Sequence, residues 1–270
     1  MKIGFLGTGN MGSAMLHGIA ASDLCKNGEI TEIFAYDASE EKRAALKNEG
    51  VSIAANEQAL ADAVDFLILA VKPQVLGGIL DGIKLRKEQI VISICAGISA
   101  EFIRSHTIAE ARIILVMPNT PLMLGEGASA LAKCAGVSDD EFAFAMKLFA
   151  TCGVAEEIPE SKMREIIAVN GSSPAFLYLY AKAFLDYAAS EGIDENAALS
   201  LFAQSMIGSA KMLTDSGYSV DELIRMVSSP GGTTLAGLDK LYAGRLEDTV
   251  KECCESCTAR AYELAGAKKA

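Results

Sequence analysis

Residues 2–12 read Lys-Ile-Gly-Phe-Leu-Gly-Thr-Gly-Asn-Met-Gly, an apolar run that ends in Gly7-Thr8-Gly9-Asn10-Met11-Gly12. A G-x-G-x-x-G string alone is a weak signal. Here it follows a strand-like run, Lys2–Leu6, and opens a helical pattern over residues 11–21, which is the context its chemistry requires. Gly7 permits a tight turn, Gly9 lets the backbone approach a pyrophosphate, and Gly12 allows close helix–strand packing. The start of the helix then offers free N–H groups and a partial positive charge to phosphates. The plain alternative is a glycine turn that holds nothing.

Working outward, residues 29–36 read as a second strand and 40–49 as a helix ended by Gly50. Residues 65–71, 90–95 and Arg112–Met117 are continuous apolar runs, as strands covered on both faces require. Repeated βα units predict an α/β fold with a doubly wound parallel sheet. Ser138-Asp-Asp-Glu141 is a capping box, and residues 153–158 read as a last edge strand.

After Pro159 strand patterns stop. Pro174 stands at a helix start, Asp194 can cap the next helix, and Ser219-Val-Asp-Glu222 is a second capping box. Thr233–Ala243 and residues 246–265 complete an all-helical second half. The expected division is therefore a nucleotide-binding domain, 1–158, and a helical domain, 159–270. The second half is rich in Ala, Leu and Met, and such helices bury an extra face against a partner subunit, so a homo-oligomer is expected.

The composition narrows the function. Hydrophobic residues make up 51% of 270, enough for a sizeable core. The net charge is −11, with −7 before Pro159 and −4 from it onward, so neither half suits a nucleic-acid partner. No apolar run reaches the ~18 residues of a membrane span, and the first residues lack the apolar core of a signal peptide. Seven scattered cysteines read as reduced thiols of a cytoplasmic protein.

Asp37 ends the second strand pattern, where an acidic side chain accepts from both ribose hydroxyls of NAD and repels a 2′-phosphate. Lys42 and Arg43, one turn later, soften that repulsion, so NADH is favoured and NADPH is not excluded. The alternative role for Asp37, compatible with the first, is a helix N-cap. Lys72 follows a strand and either reaches a phosphate or ribose or is a solvated lysine before the helix that Pro73 starts. In Met117-Pro118-Asn119-Thr120-Pro121, two prolines stiffen a loop in which Asn119 offers a donor and an acceptor.

Ser228-Ser229-Pro230-Gly231-Gly232-Thr233-Thr234 precedes a helix. It forms an anion pocket of backbone N–H groups and hydroxyls suited to a small carboxylate, or else a turn with a threonine cap. Gly171-Ser172-Ser173-Pro174-Ala175 is a shorter helix-start cluster. His17 and His106 fall outside these loops, and surface or packing roles suit them. Cys253-Cys254-x-x-Cys257 has no second pair or nearby histidine to complete a metal site, so no metal is expected.

Across essentially its whole length the chain resembles the Δ1-pyrroline-5-carboxylate reductase family. The resemblance rests on Gly7–Gly12, on Ala70-Val71-Lys72-Pro73, on Met117–Pro121, on Gly171–Ala175 and above all on Val227–Thr234. It implies a Rossmann-type domain followed by a helical dimerisation domain, a homodimer, and in the family often a decamer. It implies cofactor contacts from Gly7, Gly9, Asn10, Met11, Gly12, Asn56, Ala70, Val71, Lys72, Pro73 and Asn119. Ser229, Gly231, Gly232 and Thr233 would hold the substrate carboxylate. Thr234 would bond the ring nitrogen as the catalytic hydroxyl, with Thr120 a weaker candidate. The implied reaction is NADPH- or NADH-dependent hydride transfer to the imine carbon of 1-pyrroline-5-carboxylate, giving L-proline. Ser173 and Phe176 depart from the glycine and tyrosine common in the family, and Asp37 from its frequent neutral or basic residue. Two alternatives remain beside this reading: another imine or β-hydroxyacid reductase, and a non-catalytic cofactor-binding paralogue.

Overall fold

The apolar runs of the first half become strands because helices cover both of their faces. The computed structural model describes residues 1–47 and 50–264. The strands are β1 (Lys2–Leu6), β2 (Glu32–Tyr36), β3 (Ser52–Ile53), β4 (Phe66–Leu69), β5 (Ile90–Ser93), β6 (Arg112–Met117), β7 (Gly127–Lys133) and β8 (Gly153–Glu157). They form one sheet in the order β3-β2-β1-β4-β5-β6-β7-β8. The helices of this half are α1 (Asn10–Ala20), α2 (Asp23–Lys26), α3 (Glu40–Leu46), α4 (Glu57–Ala63), α5 (Pro73–Leu80), α6 (Ala100–Ser105) and α7 (Asp139–Ala150).

Alternate residues of each strand feed two cores. Phe5, Phe66, Ile68 and Ile92 pack with Met15, Leu16 and Ile19 of α1 and with Leu148 and Phe149 of α7. Leu67, Leu69, Val91 and Leu115 pack on the other face with Leu60 of α4, Leu76 and Leu80 of α5 and Ile103 of α6. Each such side chain contributes about 1.5–3 kcal/mol of burial free energy. The Ser138 capping box forms, with Ser138 Oγ accepting from Glu141 N and Glu141 Oε2 from Ser138 N.

The sheet is not wholly parallel, which corrects the expectation. β6 pairs antiparallel with β7, placing Val116 opposite Leu131, and β8 then pairs parallel with β7. The link between β6 and β7 is one 3-10 turn, Thr120–Leu124, closed by Gly125 at φ 75, too short for a crossover helix. β7 escaped notice because Gly-Ala-Ser-Ala-Leu-Ala-Lys has no β-branched or aromatic residue. The second strand starts at Glu32 rather than 29, because Gly28 (φ 76) and the Ile30 N→Leu24 O bond still form a turn. The helix expected over 40–49 runs from Glu40 to Leu46, and residues 48–49 lie outside those described.

The later helices are α8 (Ser173–Ser190), α9 (Glu195–Asp215), α10 (Val220–Met226), α11 (Thr233–Ala243) and α12 (Leu246–Leu264). Residue 265, the expected end of the last helix, is outside the described residues. Asp194 caps α9 through Ala197 N, and the Ser219–Glu222 capping box forms at α10.

Strands give way to helices near Pro159, but packing divides the chain differently. One compact unit holds Met1–Pro174 and the chain from Ser256 onward, and the other holds Ala175–Glu255. The segment after Pro159 stays with the sheet because Met163 and Ala168 are buried and Asn170 Nδ2 donates to Met117 O (2.7 Å) and Ala128 O (3.1 Å). The end of α12 joins the same unit: Thr258 and Ala261 are buried, and Tyr262 Oη donates to Glu165 Oε1 at 3.0 Å.

Within the second unit, Phe184 of α8 stacks on Phe202 of α9 at 4.5 Å between ring centroids. Yet α9, α10 and α11 bury no residue, while Leu179, Leu201 and Val227 are each about two-thirds exposed or more (69%, 70% and 67%). Apolar faces of this extent fit another protein surface. Among the described residues no helix is long and apolar enough to cross a membrane. If the faces are covered by self-association, the Tm will rise with protein concentration, by up to about 1.4 kcal/mol of added stability per tenfold increase. Calorimetry across a dilution series checks this, and a Tm independent of concentration contradicts it.

Candidate active site

A helix start with no side-chain cap leaves N–H groups for a ligand. α3, α4, α6, α7, α9 and α10 each begin with a capping side chain: Ser39, Asn56, Ser99, Ser138, Asp194 and Ser219. α1, α5 and α11 begin without one, at Gly9, Lys72 and Gly232, as does the single turn of α2. Sequence reading marked the starts of α1, α5 and α11 for ligands, and also Asn56, whose side chain caps α4.

The first joins β1 to α1. Gly7 N donates to Tyr36 O and Ala70 N to Leu6 O, so the ends of β1, β2 and β4 continue in register into the turn. A Cβ on Gly12 would stand 2.4 Å from Gly7 O, whereas one on Gly9 would meet nothing within 4 Å. Gly12 thus serves packing, and Gly9 leaves open space over the first N–H groups of α1, including those of Asn10, Met11 and Gly12. These residues fit the diphosphate of a nicotinamide dinucleotide.

Asp37 fastens this turn. Its Oδ2 accepts from Thr8 N (2.8 Å) and Thr8 Oγ1 (3.2 Å), and its Oδ1 from Ser39 N (2.9 Å). Lys42 Nζ lies 3.5 Å from Oδ2. Partial burial by itself raises the carboxyl's pKa, but the Thr8 and Ser39 donors and the Lys42 charge outweigh it, holding Asp37 below its ordinary value and ionised. The N-cap of α3 is Ser39, not Asp37, which corrects that alternative; the carboxylate points back to the glycine turn instead. Sequence reading missed Thr8 and Ser39 in this role. The x of a G-x-G string is by definition unspecified, so nothing flagged Thr8.

Of the other residues expected at the cofactor, Asn56 caps α4 by accepting from Ala59 N at 2.8 Å. Ala70 and Val71 continue β4, and Lys72 is exposed, with Pro73 opening α5. Cys95 Sγ donates to Val71 O at 3.2 Å. Burial pushes its thiol up to about 11, so it stays neutral and is no nucleophile at working pH. A cavity of about 500 Å³, within the size range of ligand sites, opens past β5 and β6 between Ser93, Cys95, Met117, Met163 and Arg164. Asn119 is buried and its Oδ1 accepts from Ala128 N at 2.9 Å, while its Nδ2 has no hydrogen bond among the described residues. Thr120 is exposed at the start of the 3-10 turn. Asn170, unnoticed in the sequence because it sits singly in an apolar run, holds the other side of Ala128 through its carbonyl.

The second loop lies in the helical unit. Ser228 Oγ donates to Ile224 O at 2.6 Å and closes α10. Gly231 takes a left-handed turn (φ 69), and Gly232 N donates to Ser229 O at 3.0 Å. Thr233 and Thr234 are the exposed first residues of α11. The hydroxyls of Ser229, Thr233 and Thr234 make no hydrogen bond among the described residues. His106 Nδ1 faces Asp81 Oδ1 at 2.8 Å, and Cys257 Sγ donates to Ser172 Oγ at 3.3 Å. Among the described residues no group of acidic, histidine and cysteine side chains is placed to hold a metal.

A glycine-turn sheet with an uncapped α1 and a helical half with uncovered apolar faces define a dinucleotide-dependent oxidoreductase of two parts. The comparisons agree. Residues 2–97 match the NADP oxidoreductase, coenzyme F420-dependent family, and residues 160–264 match the pyrroline-5-carboxylate reductase dimerisation family. The pyrroline-5-carboxylate reductase of Escherichia coli is 34% identical over 266 residues, covering 97% of this chain and 98% of that protein. The one from Methanosarcina acetivorans is 33% identical, covering 97% of each. The crystal structure of Plasmodium falciparum pyrroline carboxylate reductase with NADP bound is 30% identical, with a TM-score of 0.87 over 98% of both chains. The chain belongs to the pyrroline-5-carboxylate reductase family.

Gly9 and Gly12 separate binding from folding. Gly9→Val keeps stability within about 0.5 kcal/mol and raises the cofactor Kd at least about tenfold. Gly12→Ala costs about 1–3 kcal/mol of stability through overpacking. Chemical denaturation and cofactor titration of the two variants check both statements.

Proposed function

We propose that the chain reduces 1-pyrroline-5-carboxylate to L-proline with a reduced nicotinamide cofactor. The observation that carries this is the start of α11. Gly232 leaves the helix uncapped, Ser229, Thr233 and Thr234 flank it in the chain, and no Lys or Arg lies between residues 226 and 239. Such a cradle suits one small carboxylate, held by dipole and hydrogen bonds. Ser229, Gly231, Gly232 and Thr233 hold that carboxylate. Thr234 orients the ring nitrogen and relays a proton to it. A protonated imine is already electrophilic, so a hydroxyl suffices where a ketone would need a stronger acid.

Gly7, Gly9, Asn10, Met11 and Gly12 bind the cofactor diphosphate, Asn56 and the strand end Ala70-Val71-Lys72-Pro73 flank it, and Asn119 faces the nicotinamide carboxamide. When bound, the nicotinamide supplies a hydride to the imine carbon; the protein supplies position and electrostatics. Ionised Asp37 favours NADH over NADPH. Residues 1–158 serve the cofactor, and residues 159–270 serve the substrate and self-association as a homodimer, with a decamer built from such dimers. The protein works in the cytoplasm.

Thr234→Ala is expected to lower kcat by roughly 10- to 100-fold, toward the scale of a lost acid–base contact. Following cofactor oxidation with 1-pyrroline-5-carboxylate tests this, and wild-type turnover would remove Thr234 from the mechanism. The same assay with both cofactors is expected to give a higher kcat/KM for NADH, and a strong NADPH preference would contradict the role given to Asp37.

A further inference from the structure

A relative of this chain carries NADP, yet an ionised carboxylate stands here at the end of β2, where a 2′-phosphate would lie. The acidic first turn of α3, Glu40 and Glu41, adds to the repulsion. Arg43 is built to oppose it. Its Nη1 donates to Asp37 O (2.5 Å) and Ala38 O (3.1 Å), the two carbonyls that follow β2. Its guanidinium lies over the Tyr36 ring, 5.4 Å from the centroid. Two carbonyls and a ring face hold the group in one place, so little side-chain entropy remains to be lost when an anion arrives. Nε and Nη2 make no hydrogen bond among the described residues, and these two nitrogens are the fork that takes a phosphate bidentately. Lys42 differs. Its ammonium lies 3.5 Å from Asp37 Oδ2 on a stem that no second contact fixes.

We propose that Arg43 is the specificity-determining residue of the cofactor site, receiving the 2′-phosphate of NADPH and admitting that cofactor against the charge of Asp37. The proposal rests on the reading that the turn at Gly7–Gly12 binds a nicotinamide dinucleotide. Asp37 and Arg43 then act with opposite sign on one position. The carboxylate, tied to Thr8 and Ser39, sets the preference for a free ribose hydroxyl. The arginine sets how far a phosphate there is tolerated.

The test is calorimetric titration with two fragments, ADP-ribose and adenosine 2′,5′-bisphosphate, on the whole protein. In Arg43→Ala the ratio of Kd for the bisphosphate to Kd for ADP-ribose is expected to rise at least about tenfold, the size of a lost charge-assisted hydrogen bond. Arg43→Lys, which keeps the charge but loses the fork, is expected to fall between. Lys42→Ala is expected to move the ratio less than Arg43→Ala. The kinetic counterpart is a rise in KM for NADPH larger than that for NADH. An unchanged ratio in Arg43→Ala overturns the proposal, and so does equal weakening of both fragments, which would make Arg43 a brace for the loop alone. If the wild type binds neither fragment, the dinucleotide reading itself falls and this one with it. If it binds ADP-ribose and only the ratio fails to move, the dinucleotide reading stands and this one alone is lost.

Discussion

The approach of α1 to the end of β1 governs the nucleotide half of the molecule. Gly12 and the Gly7 carbonyl lie so close that a single methyl group would separate them. That contact aims the start of α1 along the carboxyl edge of the sheet, and Gly9 leaves its N–H groups uncovered. The carboxylate of Asp37 then pins the turn from the neighbouring strand through Thr8. Strand order does the rest, because the ends of β2, β1 and β4 stand side by side and each contributes the residue that follows it.

The same physical device recurs at α11 with a different charge economy. At α1 the uncapped start follows the end of β1, at the carboxyl edge of the sheet. At α11 the uncapped start follows a loop of Ser229, Gly231 and Gly232, with Thr233 and Thr234 as the first helical residues. Neither helix start carries a side chain that would compete for its N–H groups, while α3, α4 and α9 are stoppered by serine, asparagine and aspartate. Capping, usually read as a stability feature, here separates α3, α4, α6, α7, α9 and α10 from α1, α2, α5 and α11, whose first N–H groups no side chain takes.

Much of this was legible in the sequence, for reasons that differ by element. Phe66–Leu69 and Ile90–Ser93 announce themselves because both their faces are buried. The capping boxes at Ser138 and Ser219 follow from local spacing alone. β7 was silent because small residues pack in it without a β signature, and its reversal depends on a short turn rather than on its own composition. The glycine turn and the Gly231-Gly232 loop were legible as motifs, since backbone exposure demands particular residues. The partners of Asp37 were not, because Thr8 N and Ser39 N reach it from places fixed only when β1 and β2 lie side by side. Asn170 was invisible for the same reason: its carbonyl partners come from β6 and β7, far away in the chain. The packing boundary after Pro174 also escaped the sequence, since composition changes at Pro159 while the chain goes on packing against the sheet.

α12 begins in the helical unit and ends in the nucleotide unit, where Tyr262 grips Glu165 and Arg164 stacks on the Tyr262 ring. The two halves are therefore not interchangeable cassettes. A hybrid joined at a single seam near Pro174 would graft a foreign terminal helix onto a sheet whose matching Arg-Glu pair it had never met. An exchange of the helical part would have to carry residues 164–165 and 262 together to keep these contacts.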